Sequence, residues 1–336
     1  MKYALISNNH SYLGSVNYGD HIQSIAASQF LPQIDFKVER DKLNNDYELA
    51  KVIMNGWFTY NPENWPPNEK LNPLFISFHL NPTYSDILLK KEENRDFLRK
   101  HEPIGCRDFS TLKILEQYNI KAYYSFCLTS TLGISYSKTA PNNNNIIMND
   151  VLYKFLPSKI YSLEGQNTLM KIKIRLSNLK KQIIGTHKRN KILNQLIPKK
   201  ILKESIKISQ LVDKNLGDDA ITNLASKRIQ EYANSKLVIT SRIHCALPCL
   251  AVGTSVLFVL EGLENPKADM SRLKGILDYV NILSNVSKEK IDTLFGKKMH
   301  VFHSSEIDWE NPPKNPNTHL DLTKKLIEDC NTFIED

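Results

Sequence analysis

The stretch KLVITSRIHCALPCLAVGTSVLFVL, residues 236–260, decides the fold and contains the first candidate site. Residues 237–240 form a short β-branched apolar run typical of a buried parallel strand, and residues 245–252 are apolar almost throughout. The pattern predicts a strand, a sharp turn, a helix and then the next strand. Arg242 and His244 fall at the first turn of that helix, where open α/β sheets bind ligands and where a helix N-terminus favours anions. We therefore expect half of an anion-binding active site here.

Strand and helix patterns alternate through both halves of the chain, which predicts an α/β fold with two Rossmann-like, doubly wound domains facing a cleft. At 336 residues the chain is too long for one ordinary core and suits two domains of about 150 residues each. We predict an N-terminal domain at 1–141 and a C-terminal domain at 142–310, which carries the SRIH motif and a basic helical segment. A proline-containing linker and a terminal helix at 311–336 are expected to pack back on the first domain.

The composition indicates a cytoplasmic globular protein. Hydrophobic residues make up 41% and charged residues 24%, and the N-terminus turns polar too soon for a secretory signal. Five cysteines, an odd number without CxxC spacing, predict neither a disulfide scaffold nor a zinc site. Cys245 and Cys249 could share one helix face, but two ligands do not make a metal site. We therefore expect no metal and a reducing compartment.

The net charge of +8 is unevenly distributed along the chain. Residues 154–207 contain fourteen Lys or Arg and two Glu, a local excess of +12. Such a segment can contact nucleic acid, a polyphosphate substrate or an anionic membrane leaflet, or it can be a solvated helical face. Because interleaved aromatic residues are lacking, we do not expect nucleic acid as a partner. Within this segment the run IIGTH at 183–187 predicts a strand with the candidate residue His187 at its carboxyl end.

A second anion-binding position lies in the first half of the chain. Arg107 follows a short predicted strand at 104–106 and precedes a helix, the same local arrangement as Arg242. If both strand ends face the cleft, two guanidinium groups on opposite walls suit a ligand with two anionic ends. His244, beside an arginine and a helix N-terminus, is expected to be neutral, as a general base requires. The alternative is that Arg242 pairs with a carboxylate and His244 caps a backbone group.

Other polar residues are candidates for acceptor contacts. The first helix is predicted to open at Asp20, so Asn17 and Asp20 either contact a ligand or only cap and turn the chain. His79 ends a predicted buried strand and is either a structural hydrogen-bonding group or a ligand contact. Thr129 lies in a hydroxyl-rich run after another predicted strand.

The chain resembles the polysaccharide pyruvyl transferase family across nearly its whole length. The resemblance is carried by four separated motifs, NYGDHIQSIAA (17–27), IGCRDFST (104–111), CLTSTL (127–132) and KLVITSRIHCALPCLAVGTSV (236–256). The last motif is the most specific, and the first two stand in the right order and spacing relative to it.

The resemblance implies a GT-B-like fold and transfer of the pyruvyl group of phosphoenolpyruvate onto sugar hydroxyls as a cyclic ketal, with release of phosphate. It implies that Arg107 and Arg242 bind the donor's anionic groups and that His244 is the catalytic histidine, as acid or as base. A lysine beyond the next strand is carried over to Lys267, for which Arg272 or Lys274 could substitute. The scheme requires no metal or organic cofactor.

The expected acceptor, in capsule or exopolysaccharide synthesis, is a saccharide linked to a polyprenyl diphosphate at the inner face of the membrane. The basic segment would then contact anionic lipid or the acceptor's diphosphate, so the protein would be cytoplasmic and peripheral to that membrane. Two other functions remain open. One is a GT-B glycosyltransferase that uses a nucleotide sugar, and the other is a non-catalytic assembly protein that binds saccharide or membrane.

Overall fold

The computed structural model of the chain describes residues 1–8, 11–58, 61–139, 144–263, 265 and 269–336. Lys267 and the predicted domain boundary at 141–142 lie outside these residues. The chain folds into helices and mainly parallel strands, so the α/β class predicted from the alternating pattern is confirmed.

The first half of the chain forms a parallel sheet with flanking helices. Its elements are β1 (Lys2–Ser7), β2 (Ser15–Asn17), α1 (Tyr18–Ser28), β3 (Phe36–Glu39), β4 (Ala50–Met54), β5 (Leu71–Phe75), α2 (Pro82–Leu89), α3 (Glu92–Lys100), β6 (Ile104–Cys106), α4 (Phe109–Gln117) and β7 (Ala122–Tyr124). Four strands pair in the order β3-β1-β4-β5, and β6 and β7 form a parallel pair joined to the segment after β5 through a bridge between Phe78 and Cys106. The chain reverses its direction of winding between β1 and β4, which makes their carboxyl ends a topological switch point.

The second half forms a larger sheet. Its elements are β8 (Ile146–Asn149), α5 (Thr168–Lys180), α6 (Thr186–Leu196), α7 (Lys199–Glu204), β9 (Ile206–Ile208), β10 (Leu211–Asp213), α8 (Asp218–Ala233), β11 (Leu237–Thr240), α9 (Ile243–Ala251), β12 (Ser255–Val259), α10 (Ser271–Leu273), β13 (Asn281–Leu283), α11 (Lys288–Phe295), β14 (Val301–Phe302) and α12 (Leu320–Glu335). Six parallel strands pair in the order β14-β13-β12-β11-β8-β9. The switch point of this sheet lies between β8 and β11, and β11 is buried at every position.

One hydrophobic core joins the two sheets. Helix α1 packs against α8, and the 3₁₀ helix Leu128–Ile134 packs against α9. Inside this core the Tyr18 and Tyr232 hydroxyls lie 3.2 Å apart, and the Asn149 side-chain amide donates to both. The antiparallel pair of β2 and β10 adds a backbone connection. The two halves are therefore held in contact beside the ends of their strands.

The terminal helix α12 contacts the first half of the chain. The Lys51 Nζ donates to the Phe333 carbonyl at 2.8 Å, and the Tyr123 hydroxyl donates to Asp329 at 3.0 Å. The Thr323 hydroxyl lies 3.0 Å from that of Ser130.

Two local predictions are wrong. Residues 183–187 are not a strand: Lys181–Gly185 is a π-helical turn between α5 and α6, with Ile183 and Ile184 at least 60% exposed rather than buried in a sheet. The first helix begins at Tyr18 rather than at Asp20, because the Asn17 side chain accepts the Gly19 amide at 3.0 Å and caps it.

Candidate functional site

The switch point of the larger sheet holds Arg242. This residue follows β11 at the start of α9, and its Nε donates to Asp150 Oδ2, just beyond β8, at 3.0 Å. The guanidinium lies over the Tyr153 ring, 3.6 Å from the ring centroid. A carboxylate and an aromatic face therefore fix the position of a largely buried guanidinium. The pairing with a carboxylate that we considered as the alternative for Arg242 is thus present.

Tyr153 connects Arg242 to a second arginine. Leu152 adopts a left-handed conformation with φ of 58°, which turns the chain so that Tyr153 follows at the start of a short 3₁₀ helix. The Arg272 Nη2 donates to the Tyr153 hydroxyl at 3.0 Å and lies 3.8 Å from Asp269 Oδ1. One tyrosine thus contacts two guanidinium groups, one through its ring face and one through its hydroxyl.

The first half contributes a buried group made of Arg107, Asp108 and His79. Asp108 caps α4 by accepting the Thr111 amide, and its Oδ2 lies 2.6 Å from His79 Nδ1 and 3.9 Å from Arg107 Nε. A carboxylate can only accept, so the His79 Nδ1 carries the hydrogen and Nε2 keeps its lone pair. Burial lowers the pKa of His79, and Arg107 lowers it further. Burial opposes ionisation of Asp108, but His79 and Arg107 hold the pKa of its carboxyl below the ordinary value.

His244 lies where the two halves meet. Burial and the charges of Arg107, Arg272 and Arg242 hold its pKa well below the ordinary value, and His79 also lowers it. The ring Nε2 is shielded from water and has no hydrogen-bond partner among the described residues. Gln210 donates to the His244 backbone carbonyl at 3.0 Å, which holds the turn at the start of α9. The imidazole is therefore kept neutral, its Nε2 has no partner among the described residues, and three arginine charges contribute to lowering its pKa.

A cavity of about 730 Å³ opens beside the cluster formed by His244, Arg107, Arg242 and Arg272, and Arg242 lines it. Asn17 and Asp20 from the first half line it, together with Asp150, Tyr153 and Arg242 from the second. Its rim also carries basic side chains, namely Lys154, Lys159, Lys181, Arg189 and Lys207. The cavity is large enough for a sugar-sized ligand, and its basic rim suits a phosphorylated one.

The other predicted residues are placed as follows. His79 lies in the buried group with Arg107 and Asp108, not on the wall of the cavity. Thr129 is fully buried, with its hydroxyl 3.2 Å from Cys127 Sγ. His187 is exposed on α6 and is not among the residues that line the cavity, because the predicted strand does not form.

The two proposed substitutes for Lys267 differ in place. Arg272 joins the cluster, whereas Lys274 lines a separate hollow beside Phe109 and Lys113.

Sequence reasoning missed three residues that position the site, Asp108, Asp150 and Tyr153. Asp108 could have been found, because an aspartate before a predicted helix is a capping signal and the carboxylate follows Arg107 directly. Asp150 follows β8 as Arg242 follows β11. Because ligands bind at the carboxyl ends of parallel strands, Asp150 could also have been predicted as a site residue. The place of Tyr153 depends on the left-handed turn at Leu152, for which the residue type gives no signal.

Among the described residues, no cluster of three or more His, Cys, Asp or Glu side chains is arranged to hold a metal ion. The five cysteines are buried thiols. Within the same part of the chain no helix has the length and apolar character that a membrane crossing requires.

Comparison with known proteins identifies one family. The sequence model of the family described as polysaccharide pyruvyl transferase matches residues 17–261, which include Arg107, Arg242 and His244. No curated protein and no solved structure shows a significant match to the chain.

Proposed function

Because the chain belongs to the polysaccharide pyruvyl transferase family, we propose that it moves the pyruvyl group of phosphoenolpyruvate onto two hydroxyls of a sugar. The family description itself names a pyruvyl transferase acting on a polysaccharide. The donor, the ketal product and the residue roles are our proposal. It is carried by one observation: Arg242, held by Asp150 at 3.0 Å and by the Tyr153 ring at 3.6 Å, shares that tyrosine with Arg272, whose Nη2 donates to its hydroxyl at 3.0 Å.

Phosphoenolpyruvate has a phosphate and a carboxylate on one small carbon frame, so it needs several cations close together. We assign Arg107 to one wall of the donor site and Arg242 and Arg272 to the other. Asp150 and Tyr153 hold the guanidinium groups of Arg242 and Arg272 in place before the donor binds. This lowers the entropy cost of ordering the two side chains on binding. Lys267 remains a proposed further contact of the donor.

The reaction consists of two additions to one carbon. A base takes the proton of the first sugar hydroxyl and passes a proton to the donor's methylene carbon, which becomes a methyl group. The neighbouring carbon thereby becomes electrophilic, and the deprotonated hydroxyl oxygen adds there. The bond from that carbon to the phosphate oxygen breaks, and the second hydroxyl closes the ketal ring. Of the two hydroxyl protons, one balances the new methyl group and the other leaves with phosphate. The arginines stabilise the charge on the departing phosphate, and the scheme contains no metal or organic cofactor.

His244 begins this sequence as a base. Its low pKa keeps the ring neutral, so it can accept the proton of the first hydroxyl and then deliver a proton to the methylene carbon. Binding of an anionic donor offsets the arginine charges that lower the pKa, and the pKa of His244 therefore rises when the donor is bound. His79 is held by Asp108 in the buried group with Arg107 and does not line the cavity, so we propose that it helps to position Arg107 rather than contacting the acceptor.

The acceptor is assigned to the cavity of about 730 Å³, which Asn17 and Asp20 line from the first half. We propose that the two sheets are the facing Rossmann-like domains of a GT-B-like fold, since the cavity is lined by residues that follow β1 in the first half and by residues that follow β8 and β11 in the second. The basic rim fits the diphosphate of a polyprenyl-linked saccharide. The reaction would then belong to capsule or exopolysaccharide synthesis at the cytoplasmic face of the membrane.

The test is phosphate release from phosphoenolpyruvate in the presence of a panel of saccharide acceptors. We expect acceptor-dependent release that falls at least a hundredfold in His244→Ala, the loss typical of a missing acid or base, and in Arg242→Ala. His187→Ala is the matched control, because it removes an exposed histidine outside the cavity and should retain full turnover. Unchanged turnover in His244→Ala would refute the site assignment. Tight binding of a nucleoside diphosphate with no donor turnover would favour the nucleotide-sugar alternative.

A further inference from the structure

Helix α5 and the π-helical turn after it present an apolar stripe to solvent. The stripe consists of residues at successive spacings of three and four, each between 49% and 72% exposed: Leu169, Ile172, Leu176, Leu179 and Ile183. At 1.5 Å per residue it is about 21 Å long. Every residue of α5 is exposed or partly exposed, so this helix contributes no buried side chain to the core of the protein.

The helix contacts the rest of the protein through its opposite face, which carries Asn178 and Ile174. Asn178 accepts the Ser158 amide at 3.0 Å and donates to the Ser158 carbonyl at 2.9 Å. Ile174 and Asn178 line a small hollow with Tyr12 and Leu13. An amphipathic helix normally buries its apolar face, whereas this helix exposes its leucines, so the apolar stripe is available to an external partner.

Charge distribution decides which partner this is. Residues 167–189 contain seven Lys or Arg and no acidic residue. The three-and-four spacing also suits a coiled coil, but the positions that flank such a seam hold Lys173 and Lys180 on one side and Arg175 on the other. Two copies of this helix would place like charges against each other, which disfavours a homodimer. Anionic lipid complements both the charge and the apolar stripe.

We propose that residues 167–189, which we call the docking helix, lie in the interface of an anionic membrane with the apolar stripe among the lipid chains. The cavity then lies about one helix diameter, roughly 10 Å, from the membrane, because Lys181 on the opposite side of the same segment lines it. A saccharide diphosphate held by a lipid could reach the cavity without leaving the bilayer. This last step rests on the proposed function, whereas membrane docking does not.

The test is co-sedimentation with vesicles of phosphatidylcholine, with and without phosphatidylglycerol. We expect binding only to the anionic vesicles, weakened at least tenfold by the double variant Leu176→Gln/Leu179→Gln. Glutamine is a good helix former, so the helix is retained. The matched control Ile87→Gln/Leu320→Gln changes two similarly exposed apolar residues on other helices and should bind as the wild type does. Lys173→Gln/Lys180→Gln should weaken binding about tenfold or more.

The outcomes separate this proposal from the proposed function. Phosphate release with a water-soluble acceptor should be unchanged in the Leu176/Leu179 variant and should fall only with a lipid-linked acceptor in vesicles. A protein that binds anionic vesicles but releases no phosphate would contradict the function and support the docking helix. Equal binding to neutral vesicles, full binding by the Leu176/Leu179 variant, or a solution dimer that this variant dissociates would overturn the docking proposal.

Discussion

Tyr153 gives the sharpest test of the donor site, because one side chain positions two arginines by two separable contacts. Tyr153→Phe keeps the ring under Arg242 and removes the hydroxyl that accepts from Arg272. A hydrogen bond to a charged group contributes about 1.5 kcal/mol at the low end, which corresponds to roughly tenfold in affinity. Tyr153→Leu also removes the ring, and the stacking of a largely buried guanidinium adds about 1 kcal/mol, or roughly fivefold.

Calorimetric titration with phosphoenolpyruvate alone measures both effects without knowledge of the acceptor. We expect the Kd to rise up to tenfold in Tyr153→Phe and up to about fiftyfold in Tyr153→Leu, as upper limits set by the contacts removed. Tyr161→Phe, at an exposed tyrosine outside the cavity lining, is the control and should bind the donor as the wild type does. Wild-type affinity in both Tyr153 variants would refute the claim that this residue preorganises the donor site.

Three further predictions concern the histidines and the packing between the halves. Asp108→Asn should lower kcat by roughly ten- to a hundredfold in the phosphate-release assay, because the charged hydrogen bond that orients His79 is lost; full activity would contradict the orienting role. Because the folded protein keeps His244 neutral, its contribution to stability is complete above pH 6.5 and is lost as the pH falls toward the lowered folded-state pKa. In urea unfolding, the free energy of unfolding should therefore fall less steeply below pH 6.5 in His244→Gln than in the wild type. An equally steep fall in the two proteins would contradict a neutral His244 ring in the folded state. Gly133→Ala should lower Tm by several degrees, because its Cβ would lie 2.4 Å from the Ala251 carbonyl oxygen, and overpacking costs about 1–3 kcal/mol; an unchanged Tm in a thermal scan would contradict this packing.

The central elements of both sheets could be predicted because their sequence patterns are strong. The apolar run at 237–240, the turn at Arg242 and the following apolar helix form β11 and α9 as expected. Arg107 also lies between a strand and a helix, as predicted, and the charges of Arg107 and Arg242 both lower the pKa of His244. At these positions the hydrophobic pattern, the turn residues and the burial all indicate the same local structure.

The remaining features depend on contacts that local sequence does not encode. The short strands β13 and β14 form because β13 pairs with β12 and β14 pairs with β13, and neither has enough residues for a pattern of its own. The isoleucines at 183–184 predicted a strand because apolar residues are expected inside, but here they are exposed on a helical segment. These two residues belong to the docking helix, so the wrong prediction falls on the surface for which we propose a membrane partner.

The most direct test of the central claim is the fate of isotope-labelled phosphoenolpyruvate incubated with the protein and lipid-linked saccharides, followed by mass spectrometry and NMR of the saccharide. We predict a product that carries the labelled pyruvyl carbons as a cyclic ketal without phosphorus, formed by the wild type and His187→Ala and lost in His244→Ala. A labelled product that retains the phosphate, or a ketal that forms equally well in His244→Ala, would contradict it.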